Sequence, residues 1–176
     1  IDPKLGISPR ALMKRVYESA VSYTKTFSEG SDSLLFMGAT GLGKTFLSGC
    51  IARAVADKGY SVCYVSAGKL FSDFETEKFR LKEDGALTGE YMETDLLIID
   101  DLGTEMTTQF TVSALYQVVN GRLLSGRPTI VSTNLPDSEL EARYSAQIAS
   151  RLLGAYTLYQ FCGTDVRLLK KMESGR

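Results

Sequence analysis

Histidine and tryptophan are absent from the 176 residues, and cysteine and proline are scarce, at three and four. Without imidazole there is no His-ligated metal and no Ser–His relay, so catalysis would rest on carboxylates, lysine, arginine and an oxygen-held metal. Cys50, Cys63 and Cys162 are odd in number, widely spaced and set among apolar neighbours. That pattern suits reduced core thiols, and neither a disulfide framework nor a zinc cluster. No hydrophobic run approaches the length of a membrane span, and the start lacks a charged-then-apolar signal layout, which predicts a soluble, cytoplasmic protein. An excess of charge is also missing: 20 Lys and Arg stand against 21 Asp and Glu. The whole-molecule field then gives polyanions little attraction, and any contact with nucleic acid must come from a local patch. The chain opens on Ile1 and not on Met, as expected for a segment of a longer or processed protein.

What is present is a chain with 44% hydrophobic residues, enough for one buried core, with no compositional break that asks for a second. Its most informative stretch is Gly38-Ala39-Thr40-Gly41-Leu42-Gly43-Lys44-Thr45, entered from the apolar run Leu34-Leu35-Phe36-Met37. Glycines let such a loop turn tightly and aim its N–H groups inward, where the first turn of the following helix adds unpaired donors and positive dipole potential. A polyphosphate fits that nest. Lys44 would reach the β and γ phosphates, and the Thr45 hydroxyl would take one position on a Mg²⁺ held against the same oxygens.

Short apolar runs predict strands at 33–37, 61–65, 95–100, 129–132 and 156–161, of the kind found in sheets buried on both faces. Helical spacing predicts helices at 44–58, 67–80, 107–125 and 142–153. Before them an amphipathic helix starts at Pro9 and shows Leu12, Val16, Ala20 and Tyr23 on one face. The alternation implies a parallel sheet in a layered α/β domain over residues 31–176, with residues 1–30 as a linker and helix packed on it.

Leu96-Leu97-Ile98-Ile99-Asp100-Asp101 is an apolar strand ending in two acids, and buried paired charge needs a cation or a polar network to receive it. Mg²⁺ would serve. At the carboxyl end of a parallel strand Asp100 can face the metal and its waters, leaving Asp101 to polarise an attacking water. The alternative is a pair of acids capping the next turn or helix. A second apolar strand, Ile130-Val131-Ser132-Thr133, ends at Asn134, which could bond a γ phosphate or position water, or could simply form the turn before Pro136.

In this order GATGLGKT, LLIIDDLG, IVSTN and IASRLLG resemble the AAA+ ATPases of the DnaC and IstB group, over essentially the whole chain. The resemblance implies a three-layer P-loop NTPase of AAA+ type, with a parallel five-stranded sheet, helices on both faces and little or no C-terminal lid. It implies a nucleotide-binding set of Gly38, Ala39, Thr40, Gly41, Leu42, Gly43, Lys44, Thr45 and the adjoining Phe46. Thr45 and Asp100 would hold Mg²⁺, and the bound nucleotide would be ATP or ADP. The catalytic set would be Lys44, Asp100, Asp101, Asn134 as sensor 1, and Arg151 as an arginine finger entering a neighbouring subunit. Read alone, Arg151 could equally be a surface helix charge.

The implied function is ATP hydrolysis, slow and stimulated by assembly or DNA, that helps load a replicative helicase. The helicase would be gripped by a region upstream of this sequence. Single-stranded DNA is expected near residues 67–91, where Lys69, Lys78, Arg80 and Lys82 supply cations and Phe71, Phe74 and Phe79 could supply stacking surface. Against that, Asp73, Glu75, Glu77, Glu83 and Asp84 of the same stretch cancel its charge, and Phe at helical spacing is also how a core is built. Arg167 could approach phosphate but is not among the expected site residues. The other readings are a transposition helper of the IstB kind, a nucleotide kinase, and a module that binds ATP without turnover.

Overall fold

A computed structural model describes residues 8–79, 86–168 and 171. The elements run α1 (Pro9–Thr26), β1 (Leu34–Met37), α2 (Lys44–Ala56), β2 (Val62–Ser66), α3 (Ala67–Phe79), α4 (Ala86–Glu93), β3 (Leu96–Leu102), α5 (Gln109–Leu124), β4 (Thr129–Thr133), α6 (Asp137–Tyr144), α7 (Ala146–Ala155) and β5 (Thr157–Gln160). All strand pairs are parallel, in the order β2-β3-β4-β1-β5. Parallel neighbours need crossovers, and these place helices on both faces.

Alternation along each strand sorts the core. Leu34, Phe36, Leu96, Ile98 and Ile130 pack with Val16 and Ala20 of α1 and Ile51 and Val55 of α2. Leu35, Met37, Leu97, Ile99 and Val131 pack on the other face against α3 and α5 to α7. Two apolar faces explain why the strands read as unbroken hydrophobic runs. The face expected for the first helix is the one that is buried, with Val16 and Ala20 at its centre. Among the described residues no helix is long and apolar enough to cross a membrane.

Three expectations need correction. The helix expected at 142–153 is two helices, α6 and α7, broken at Ser145, whose φ is 117° and whose hydroxyl accepts from the Ile148 N–H at 3.5 Å. The acidic strand does not stop at Asp100 but continues to Leu102. The cysteines are reduced thiols, as expected, but none is fully buried: Cys50 is exposed, Cys162 is half-buried, and Cys63, also half-buried, packs against the edge of the core. Missed altogether was Arg122, fully buried, whose guanidinium donates to the carbonyls of Tyr91, Thr94 and Pro128 and to the Thr129 hydroxyl, tying the end of α4 to the start of β4.

Candidate functional site

β1 delivers the glycine loop at its carboxyl end, and α2 begins at Lys44 immediately after Gly43, whose φ is 94°. At Gly38, φ 149°, an added Cβ would lie 2.4 Å from the Phe161 carbonyl oxygen, so backbone approach alone demands glycine there. At Gly41, φ 78°, a Cβ would fall 2.1 Å from the Asp165 carboxyl carbon. The Val166 N–H donates to the Gly41 carbonyl at 3.0 Å, so the segment after β5 lies against the loop. Lys44 is buried, and its ammonium donates to the carbonyls of Gly38 at 2.5 Å and Ala39 at 2.9 Å. Burial lowers its pKa below the ordinary lysine value, while the negative charges of Asp101 and Asp100 oppose that fall.

The acid pair is built by a β-bulge. Ile99 pairs with Val131 and Leu102 with Thr133, so Asp100 and Asp101 together oppose Ser132. Asp100 is buried and stays on the α2 face of the sheet, in line with Ile98. In a regular strand Asp101 would point to the opposite face beside Ile99. The bulge, with Asp101 at φ 56°, instead leaves it exposed at the cleft that Lys44 and Thr45 also line. A left-handed aspartate costs about 1–2 kcal/mol relative to a relaxed backbone. Ser132 offsets part of this: its hydroxyl accepts from the Asp101 N–H at 3.0 Å and donates to Asp100 Oδ1. The Tyr64 hydroxyl donates to Asp100 Oδ2 at 2.8 Å. Neither Ser132 nor Tyr64 was expected from sequence, because their contacts span 32 and 36 residues.

Asn134, exposed just beyond β4, lines the same cleft of about 830 Å³, as do Thr40 to Leu47, Asp101 and Thr104. Arg167, not expected among the site residues, lines it too. An apolar end comes from Met13, Val16 and Tyr17 of α1 with Leu42, Phe161 and Val166. The structure thus gathers Lys44, Thr45, Asp101 and Asn134 around one cavity, with Asp100 behind them. It does not bring Arg151 there. Arg151 lies on α7, donates to Asn120 Oδ1 at 2.7 Å and the Tyr116 hydroxyl at 3.1 Å, and stacks over the Tyr116 ring at 4.8 Å.

The donor set fits a magnesium nucleotide. The oxygens that would hold the metal are the Thr45 hydroxyl and the Asp100 carboxylate. That suits Mg²⁺, which is bound by one or two protein oxygens together with phosphates and water.

The stretch expected to meet DNA is used largely for packing. Phe71 and Phe74 are buried, so they offer no stacking surface. Lys69 pairs with Asp73, which also accepts from the Tyr91 hydroxyl at 2.5 Å, and Lys78 sits over the Phe110 ring at 4.9 Å. Glu77 accepts from the Thr88 N–H at 2.9 Å, binding α3 to α4. Arg80, Lys82 and the Phe79 side chain lie outside the described residues.

A parallel sheet whose first strand enters a glycine loop, whose third carries a bulged acid pair just before its end and whose fourth is followed directly by asparagine has the fold of the AAA+ P-loop ATPases. The chain belongs to the family of IstB-like ATP binding proteins, whose model matches residues 12–162. It is 26% identical over 135 residues to the replicative helicase loader DnaC of Escherichia coli (strain K12), a match covering 76% of this chain and 55% of that protein. The chain therefore spans about half the length of that relative. The crystal structure of the DnaC helicase loader superposes with a TM-score of 0.78 at 20% identity, over 86% of this chain and 90% of that one. The replication initiator DnaA bound to AMPPCP and single-stranded DNA gives 0.73 at 22% identity, over 90% of this chain and 50% of that one.

Proposed function

We propose that this chain is the ATPase domain of a DnaC-like replication protein, which binds Mg·ATP in the cleft and hydrolyses it while helping to load a replicative helicase on single-stranded DNA. The observation that carries the reading is the bulge, which turns Asp101 into the cleft that Lys44, Thr45 and Asn134 also line. Lys44, which donates to the loop carbonyls of Gly38 and Ala39, would bind the β and γ phosphates, and Thr45 and Asp100 would supply oxygens to the metal. When bound, Mg²⁺ neutralises charge developing on the phosphates. Asp101 polarises the attacking water, and Asn134 holds that water or the γ phosphate. A family match to IstB-like proteins supports a transposition helper as the second reading.

Arg151 is held by α5 away from its own cleft, which supports a role in a neighbouring subunit's site. Assembly then controls turnover. Phosphate release per subunit should rise with protein concentration and with single-stranded oligonucleotide. Arg151→Ala should remove that rise, lowering the assembled rate by about 10³-fold or more, the range known for arginine fingers. A rate per subunit that is flat with concentration and the same in Arg151→Ala contradicts assembly-dependent hydrolysis. Stimulation by duplex and not by single-stranded DNA would favour the transposition helper.

A further inference from the structure

The phenol of Tyr64 belongs to none of the sequence motifs. It projects from β2, an edge strand, on the face it shares with Ile98 and Asp100, because Tyr64 pairs with Ile98 and Ser66 with Asp100. At 40% exposure the hydroxyl could be satisfied by water. Its oxygen instead lies 2.8 Å from Asp100 Oδ2 and 3.4 Å from the Thr45 carbonyl. A phenol has one proton to give. The shorter, charge-assisted contact takes it, and the Thr45 carbonyl stands as a longer second acceptor. With Ser132 donating to Oδ1, both oxygens of Asp100 are held, which fixes the plane of the carboxylate.

We propose that Tyr64 is a positioning residue for the metal arm of the site, holding the Asp100 carboxylate against the first turn of α2 so that Asp100 and Thr45 present oxygens to one Mg²⁺. This rests on the nucleotide-binding reading above and adds to it the residue that joins the phosphate-loop helix to the acidic strand. Hydrogen bonds from outside the coordination sphere orient ligating groups and are commonly worth 10–100-fold in metal affinity. Orientation fixed beforehand also removes an ordering cost from the binding step.

The test is a magnesium titration of the wild-type chain and Tyr64→Phe, each mixed with a fluorescent ADP analogue, read as the Mg²⁺ concentration at half-maximal nucleotide retention. Nucleotide affinity in EDTA is measured beside it, and also reports that the variant is folded. Tyr64→Phe keeps the ring, so the midpoint should rise about tenfold while the magnesium-free affinity stays within about twofold. Equal midpoints overturn the proposal. So does a loss of magnesium-free affinity as large as the midpoint shift, which would make Tyr64 merely structural. A wild-type chain that retains no nucleotide at any magnesium concentration would instead overturn the nucleotide reading itself.

Discussion

One hydroxyl, that of Ser132, fills the bulge in β3 and serves both acids, accepting from the Asp101 N–H and donating to Asp100. Ser132→Ala leaves a buried carboxylate oxygen and a backbone donor without these partners. It should cost about 1–3 kcal/mol in a urea unfolding titration and reduce phosphate release with it. An unchanged midpoint would mean that water or a neighbour satisfies both groups. Residues of the phosphate loop were legible in sequence because their chemistry is local: eight consecutive positions and the strand before them carry it. Ser132 was not, since its partners lie 31 and 32 residues away and a serine in an apolar strand carries no sign of which face it meets. Asp101 was legible as a candidate, but the left-handed backbone that exposes it at the cleft was not.

Strands and long helices could be read because each has a period that burial enforces. All five strands were found within two residues of their ends, and α1, α2, α3 and α5 came from helical spacing. The failures are short elements. α4 and α6 have eight residues each, and α6 buries only Leu140 and Tyr144, too few to establish a period. Ser145 ends one helix and caps the next, a local competition of side chain with backbone that an apolar pattern running through 142–153 conceals. The join of β2 to β3 gives a test at this scale. Ser61 donates its hydroxyl at 2.8 Å and its N–H at 2.7 Å to Asp95 Oδ2, and the Asp95 N–H returns a bond to the hydroxyl at 2.8 Å. These bonds, the hydroxyl's first, hold the Asp95 carboxyl below the ordinary aspartate value of 3.8. A depressed carboxyl stabilises the fold above that value and loses the contribution as pH falls through its folded pKa. Ser61→Ala should therefore cost about 1 kcal/mol at neutral pH, with the gap to wild type narrowing below pH 3.8. A gap independent of pH would show that the carboxylate is not what Ser61 stabilises.

For the molecule as a whole, near-balanced charge offers no general attraction to DNA, and Lys69 and Lys78, the described cations of residues 67–79, are both engaged within the chain. The sheet order, the bulge and the loop together organise one cleft, while Arg151 is turned toward α5. Composition could bound this arrangement, and the motifs could name its parts, but only the crossovers place the carboxyl ends of β1, β3 and β4 side by side. A magnesium nucleotide enclosed by that cleft is the claim on which the assignment of every site residue depends. Isothermal titration of the folded chain with Mg·ATP, alongside Lys44→Ala, measures it directly. The expected result is saturable binding of one nucleotide per chain, weakened at least about tenfold in Lys44→Ala by loss of a charge-assisted phosphate contact. The absence of binding heat with folded wild-type protein across several temperatures, or equal affinity in the variant, would contradict it.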